Sequence, residues 1–430
     1  MLRTKEQMKI WEMDLYDDDD WTFKGVLTRK HTHCYHDYPA RMIPQVANKI
    51  LNIYGKNAKL VFDPFCGSGT SLVESTLHDI SAIGTDLNPL ARLIAKAKTT
   101  IVNCSVVSDS IDRISEEIHN YKYKRKSFIE YIPKYERLEY WFKPEVIDKL
   151  AYLKRCILEI EDANVRQFFM VVFSETVRES SNSRKEEFKI YRYEKDKLRL
   201  HNPDPFTIFL NKSYRNLNGL KSYVSMLKNL NFKPDVKVES FNTVEGIPDE
   251  IFSGQKVDMV LTSPPYGDSR TTVAYGQYSK FSSIWLDIYE NFDVDSVLLG
   301  GKLRFFSNDI PSVSLERIFA ELQEKDKVRA QEVFSFYYDL YCSIKNVSRL
   351  VKANGYACFV VGNRKVKNLI LPTDSIIREL FESEGFDYIT THKRSIPSKR
   401  MPLKNSPSNV TGQTNDTMTR EYIVVMKKSI

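Results

Sequence analysis

The stretch VLTSPPYGDS, residues 260–269, ends an apolar run with two adjacent prolines and a tyrosine. Proline fixes φ and donates no hydrogen bond, so the carbonyls preceding Pro264 and Pro265 are held in set directions. Fixed acceptors suit the exocyclic amine of a nucleobase, and the Tyr266 ring gives a base a stacking face. Such acceptors would draw the nitrogen lone pair toward an electrophilic methyl carbon, a displacement that needs alignment more than a strong base. Read alone, Pro-Pro-Tyr is also an ordinary strand terminator.

A second set of residues decides between these readings. In KLVFDPFCGSGTSL, Gly67 and Gly69 break an apolar run, and a backbone without side chains can approach a ligand closely. Asp86 lies 23 residues past Asp63 at the end of the next apolar run, where an acid can accept hydrogen bonds from ribose hydroxyls. Leu72 stands where a dinucleotide fingerprint has its third glycine, and no GxxxxGK follows, so pyrophosphate binding is poorly supported. A less anionic ligand that carries a ribose fits better, and S-adenosylmethionine is the candidate.

These residues need a scaffold that brings them to one edge. Residues 60–62, 81–85 and 257–261 read as buried strands, with helices starting at Thr70 and near Pro89. That is a βαβα pattern, the start of a doubly wound parallel sheet in an α/β fold, and ligands bind outside the carboxyl ends of such strands. GYACFVVGNRKV reads as another strand whose exit, Gly362–Arg364, reaches the same edge. FDYITTHKR and REYIVVMKK read as two further strands separated by a long loop.

DPFCGSGT followed by TSPPY resembles the S-adenosylmethionine-dependent DNA amino-methyltransferases, which methylate cytosine N4 or adenine N6. The resemblance covers residues 36–100, 236–285 and 340–430. It implies a Rossmann-like class I methyltransferase sheet with an antiparallel final strand pair. It implies Ser263, Pro264, Pro265 and Tyr266 as the catalytic tetrad, with the Ser263 side chain and the following carbonyl accepting from the amine and Tyr266 stacking on a flipped base. It implies S-adenosylmethionine contacts at Asp63, Phe65, Gly67, Ser68, Gly69, Thr70 and Asp86. Cys66 lies inside that turn and Leu87 and Asn88 follow the acid, so they join the set, as do Tyr38, Pro39 and Ala40 of HDYPARMIPQ and Asn242 at the end of VKVESFNT. Serine at the first tetrad position is typical of the cytosine-N4 members, so N4 is preferred over adenine N6. The implied partner is double-stranded DNA, with a cognate restriction endonuclease as the setting. Many relatives place the catalytic motif first, whereas here the cofactor half precedes it. An RNA (tRNA) base-amine methyltransferase and a degenerate DNA-binding core are the rival readings.

The sequence divides into a catalytic domain from 1–100 and 236–430, a mostly helical insertion over 101–235 and a smaller one over 288–335. Apolar spacing marks helices over 111–121, 144–160, 165–178 and 214–230. Target recognition fits either insertion. Residues 184–199 hold seven Lys/Arg against four Glu/Asp with Phe188, Tyr191 and Tyr193 interleaved, which suits nucleic acid at Arg184, Lys189 and Arg192, or a solvated β-hairpin. Arg270 is placed to meet a phosphate or to pair with Asp268, and Arg364 is a further nucleic-acid candidate. From Lys393 to Lys404 there are five basic residues and no acid, a phosphate contact that includes Lys399 and Arg400, or a surface loop.

The remaining features narrow the class. The 430 residues are 42% hydrophobic and 28% charged with a net charge of +7, a globular composition that permits an acidic partner. No apolar stretch has membrane-spanning length and the N-terminus lacks a signal core, so a cytoplasmic location is expected. Six scattered cysteines without a CxxC pair are expected to be free thiols. HTHCYH, 31–36, read as extended, puts His31, His33 and Cys34 on mixed faces and makes a zinc site awkward, so no metal is expected. Asp17–Asp20 is a solvated charge run. No Pro-Cys pair occurs, which disfavours methylation of cytosine C5.

Overall fold

A computed structural model describes residues 20–123, 128–185, 188–228, 234–268, 272–289, 293–307, 309–396, 404–405, 415–416 and 419–430. Arg270, Lys399, Arg400 and Asp17–Asp19 lie outside the described residues.

A seven-stranded sheet organises the chain. Its strands are β1 (Leu60–Asp63), β2 (Ser81–Thr85), β3 (Val236–Glu239), β4 (Val257–Thr262), β5 (Val351–Val361), β6 (Phe386–Ser395) and β7 (Arg420–Lys428), in the order β3-β2-β1-β4-β5-β7-β6. The first five are parallel, and β7 runs antiparallel to both β5 and β6. The chain winds outward from β1 to β3, then restarts at β4 on the other side of β1. That reversal opens a crevice at the carboxyl ends of β1 and β4, the place where doubly wound sheets bind ligands. This is the α/β methyltransferase-type sheet with its antiparallel final pair.

The central strands are apolar throughout because both faces are covered. Leu60, Phe62, Val260, Ala357, Phe359, Val424 and Met426 pack on one face, under helices Lys327–Ser348 and Thr373–Ser383. Val61, Met259, Leu261, Cys358, Val360, Ile423 and Val425 pack on the other, under Pro44–Tyr54. The alternation is the period of two along each strand.

Residues 101–235 are largely helical, as the spacing predicts. The helices run Cys104–His119, Pro144–Leu158, Ala163–Ser180 and Pro205–Leu227, the last starting nine residues before the expected 214 because Pro205 sits at its first turn under an Asp204 cap. They share one buried cluster with Leu90, Ala91 and Ile94 of helix Pro89–Thr99, and with Phe281 and Trp285 of helix Tyr275–Leu286. In the smaller insertion, helix Val313–Lys325 leads into the long helix Lys327–Ser348, which carries core residues.

HTHCYH departs from the expectation of extended chain. His31–Cys34 is a 3-10 turn closed by Tyr35 N–H to Thr32 O (3.0 Å) and His33 N–H to Lys30 O (3.1 Å). Among the described residues no three His, Cys, Asp or Glu side chains group as metal ligands. All six cysteines are free. No helix among the described residues is long and apolar enough to cross a membrane.

The two turn glycines differ in their constraints. Gly69 (φ +75°) caps helix Thr70–Leu77, and a Cβ there would lie 2.9 Å from Ala95 Cβ and 3.1 Å from Ala95 Cα. Gly67 (φ +48°) has only Tyr38 Cε1, 3.9 Å away, within reach. G69A therefore combines backbone strain with a clash and is expected to cost about 2–4 kcal/mol, against about 1–2 kcal/mol of strain alone for G67A. Thermal unfolding of the two variants checks this order.

Candidate active site

β1 and β4 are hydrogen-bonded neighbours in the register Val61↔Met259 and Phe62↔Val260, so the glycine turn after β1 and the SPPY elbow after β4 leave the sheet side by side. One carboxylate ties them. Asp63, buried at the end of β1, accepts through Oδ1 from Thr262 Oγ1 (2.5 Å) at the end of β4 and from Phe65 N–H (3.0 Å), and through Oδ2 from Ser71 Oγ on the following helix. Asp63 thus joins strand, turn, helix and the residue preceding Ser263. Burial pushes its carboxyl up to about 6, even though the three donors favour the charged form.

The turn itself is held from β2. Cys66 N–H bonds Thr85 O (3.0 Å), Gly69 N–H bonds Cys66 O (2.7 Å), and Asp86 Oδ2 accepts from Gly67 N–H (3.0 Å). Asp86 Oδ1 accepts from Asn88 N–H (2.8 Å), and burial raises this carboxyl to about 6 as well. Lys98, buried beneath the turn, donates to Ser68 O (2.8 Å), and burial pushes its ammonium down to about 7. Ser68 Oγ is buried with no hydrogen-bond partner among the described residues.

Tyr38 closes the crevice from the N-terminal side. Its hydroxyl accepts from Asn88 Nδ2 (3.0 Å), and its ring stacks on Tyr275 (5.9 Å between centroids). Asn88 also donates to Ser279 Oγ (2.7 Å), so it ties the segment after β2 to helix Tyr275–Leu286. The helical region buttresses the strap that carries Tyr38. Glu175 accepts from Asp37 N–H (3.2 Å) and pairs with Lys212 (2.9 Å) and Arg215 (2.6 Å).

The result is a pocket of about 890 Å³ of empty space, open mouth included. Tyr38, Pro39, Ala40, Asp63, Phe65, Cys66, Gly67, Ser68, Thr70, Asp86, Leu87, Asn88 and Asn242 line it, together with Ser263 and Pro265. Gly69, Pro264 and Tyr266 are not among its lining residues. Ser263 Oγ contacts the Tyr266 hydroxyl (3.3 Å), which donates to Glu421 Oε1 (3.0 Å) on β7. Burial and the Glu421 carboxylate hold the Tyr266 phenol well above its ordinary value. Glu421 is in turn paired with the buried Arg394 (2.7 Å).

Sequence reasoning did not find Phe241, Thr243, Tyr275, Leu298 and Leu299, which also line the pocket. Phe241 adjoins Asn242 and was within reach of the strand-end argument. Tyr275 and the two leucines arrive from segments that carry no motif. The basic candidates are dispersed. Arg364 is largely buried and pairs with the buried Asp268 (3.3 Å), the role first considered for Arg270. Arg192 donates to Tyr140 O (2.9 Å) and lies over its ring (4.2 Å). Arg184 pairs with Glu194 (3.3 Å), and Lys189 lies in the loop between the bridged residues Ser183 and Arg192, while Phe188 and Ile190 pack onto the helical core.

Comparison with known proteins gives the class. Residues 3–97 match the family model for N6/N4 DNA methylases. The Type II methyltransferase M.MvaI of Kocuria varians is 40% identical over 100% of this chain and 99% of its own length, including the stretches the motifs do not reach. Type II methyltransferase M.MjaII of Methanocaldococcus jannaschii is 21% identical over 91% of this chain and 82% of that protein. Among solved structures, the rRNA methyltransferase aviRa of Streptomyces viridochromogenes aligns over 91% of this chain and 88% of its own at 11% identity and a TM-score of 0.32. The chain belongs to the N4/N6 DNA amino-methyltransferase family. Within it, the chain is a Type II DNA methyltransferase, and the family implies a methyl donor of the S-adenosylmethionine type.

The raised Asp63 carboxyl has a consequence for stability. Its folded value, about 6, lies above its unfolded value near 4, so the folded state binds the extra proton between them. Stability from this group is full below about pH 4 and is lost as pH rises through about 6, by about 2–3 kcal/mol. In urea unfolding from pH 4 to 7, D63N compared with the parent is expected to lack this group's share of the pH dependence, while Asp86, raised to about 6 as well, keeps its own share in both proteins.

Proposed function

We propose that the chain transfers a methyl group from S-adenosylmethionine to the exocyclic N4 of cytosine at a specific site in double-stranded DNA. One observation carries this reading: Ser263 and Pro265 line the same pocket as Asp86 and the glycine turn. The residues fit the donor. Asp86 supplies an acid for ribose hydroxyls, Phe65 and Phe241 give apolar walls, and the orphaned Ser68 Oγ offers a buried hydrogen bond. The bound donor supplies an electrophilic methyl group on a sulfonium.

The chain's own part is alignment. Ser263 Oγ and the Pro264 carbonyl accept the amine hydrogens and turn the nitrogen lone pair into the pocket. Tyr266, its hydroxyl braced by Glu421, offers its ring to the flipped base. An amine so aligned would take the methyl group as its carbon–sulfur bond breaks, leaving a thioether, and the amine's extra proton would pass to solvent. No acid or amide is needed at the first tetrad position for this geometry, and Ser263 favours cytosine over adenine. A setting beside a cognate restriction endonuclease belongs to the same proposal and rests on the family resemblance.

The test is direct. The protein is incubated with S-adenosylmethionine and unmethylated genomic DNA, with tRNA in parallel, and both are digested to nucleosides for mass spectrometry. N4-methylcytosine in DNA is expected. N6-methyladenine would keep the site and overturn the use of Ser263, and product only in tRNA would overturn the DNA assignment. S263A, which removes one acceptor, is expected to lower kcat about 10–100-fold while leaving the donor's Kd within about twofold. Equilibrium dialysis and single-turnover kinetics separate the two effects.

A further inference from the structure

The smaller insertion carries an apolar cluster that the catalytic reading does not use. Phe305 is 91% exposed, and Leu303 and Phe306 beside it are 53% and 45% exposed. Single exposed apolar residues are ordinary on a protein surface, but three within four positions on an anchored loop call for a partner.

The loop is anchored against the active site. Leu298 and Leu299, just before it, line the pocket that holds Ser263 and Pro265. Gly300 (φ +71°) then packs so close that a Cβ would lie 3.3 Å from Asp268 Cβ, two residues past Tyr266. One buried carboxylate, Asp339, fixes both ends of the next stretch: Oδ2 accepts from Gly300 N–H (2.9 Å) and Oδ1 from Arg304 Nε (2.8 Å). Arg304 N–H also donates to Ser335 Oγ (2.8 Å), and Phe306 packs on Phe319 (4.9 Å) and Phe334 (5.4 Å). Phe305 therefore stands in solvent between two fixed neighbours. The six residues from Leu299 keep it within about 20 Å of the pocket lining.

We propose that Phe305 is a wedge that enters the DNA stack beside the target base as that base leaves the duplex, a role that rests on the function proposed above. The charge agrees, since exposed Lys302 flanks the cluster and suits a phosphate backbone. The shape agrees as well. Bases expose apolar faces only where the stack opens, and an apolar side chain inserted there offsets part of the lost stacking. A rigid loop delivers such a residue at small entropic cost because its neighbours are already ordered.

The experiment uses the full chain. Once the modified site is mapped on genomic DNA, methyl transfer is measured on a duplex carrying that site and on the same duplex with the target base mispaired. A mispaired base leaves the stack more cheaply, so a wedge matters less to it. F305A is expected to lose about 10-fold or more in kcat/KM on the paired duplex, to come within about threefold of the parent on the mispaired one, and to keep the donor's Kd. F305W, which keeps an aromatic plane, is expected to remain within about threefold of the parent on both. Parent-like activity of F305A on the paired duplex would overturn the wedge, and so would an equal loss on both duplexes. A parent dimer that F305A dissolves in sedimentation, without a paired-duplex defect, would assign the cluster to a second copy instead. A parent protein that methylates no base amine would bring down the proposed function and the wedge together, whereas an active parent with an unaffected F305A brings down the wedge alone.

Discussion

The Asp63 carboxylate is the constraint on which the site depends. It stands at the end of the strand that begins the sheet and receives hydrogen bonds from the turn, from the next helix and from Thr262. Thr262 lies 199 residues later in the chain, and the residue after it is Ser263. A group buried this completely stays polar only because donors surround it, and those donors come from all the pieces that must be aligned. Removing any one of them leaves a buried acceptor short of a partner, so the cofactor half and the catalytic half are specified together.

The sheet order makes that contact possible. β1 and β4 are adjacent only because the chain reverses its winding direction after β3, and the same reversal opens the crevice. In this chain the cofactor motif comes first, but the sheet does not require that order. What matters is that two parallel strands end side by side, not which is made first. The helices of 101–235 then act on the pocket at one remove, since Glu175 holds the strap behind Tyr38 and their buried cluster includes Phe281 and Trp285 of helix Tyr275–Leu286, which holds Asn88.

Much of this was legible in the sequence where the physics is local. Glycines that must take positive φ, prolines that fix a carbonyl, and an acid at a strand end are recognisable from a few neighbours. They marked the glycine turn, the SPPY elbow and Asp86 together, while FDYITTHKR and REYIVVMKK read as strands and the family resemblance implied their antiparallel pairing. What depends on distant partners was not legible. Arg364 read as a phosphate contact, yet it pairs with Asp268 from 96 residues away, and Arg394 of the basic run turns inward to Glu421. HTHCYH read as extended, but His31–Cys34 is a 3-10 turn, and its His33 meets Glu74 (2.7 Å) across 41 residues. Tyr275 and Leu299 reach the pocket by topology alone.

The central claim is that one crevice holds the methyl donor against the SPPY elbow. A crystal structure with S-adenosylhomocysteine bound tests it most directly. The account predicts the ribose hydroxyls within about 3 Å of Asp86 and the thioether sulfur facing Ser263 and Pro265. A ligand lodged away from β1, or a sulfur turned from Ser263 toward the helical region, would contradict it.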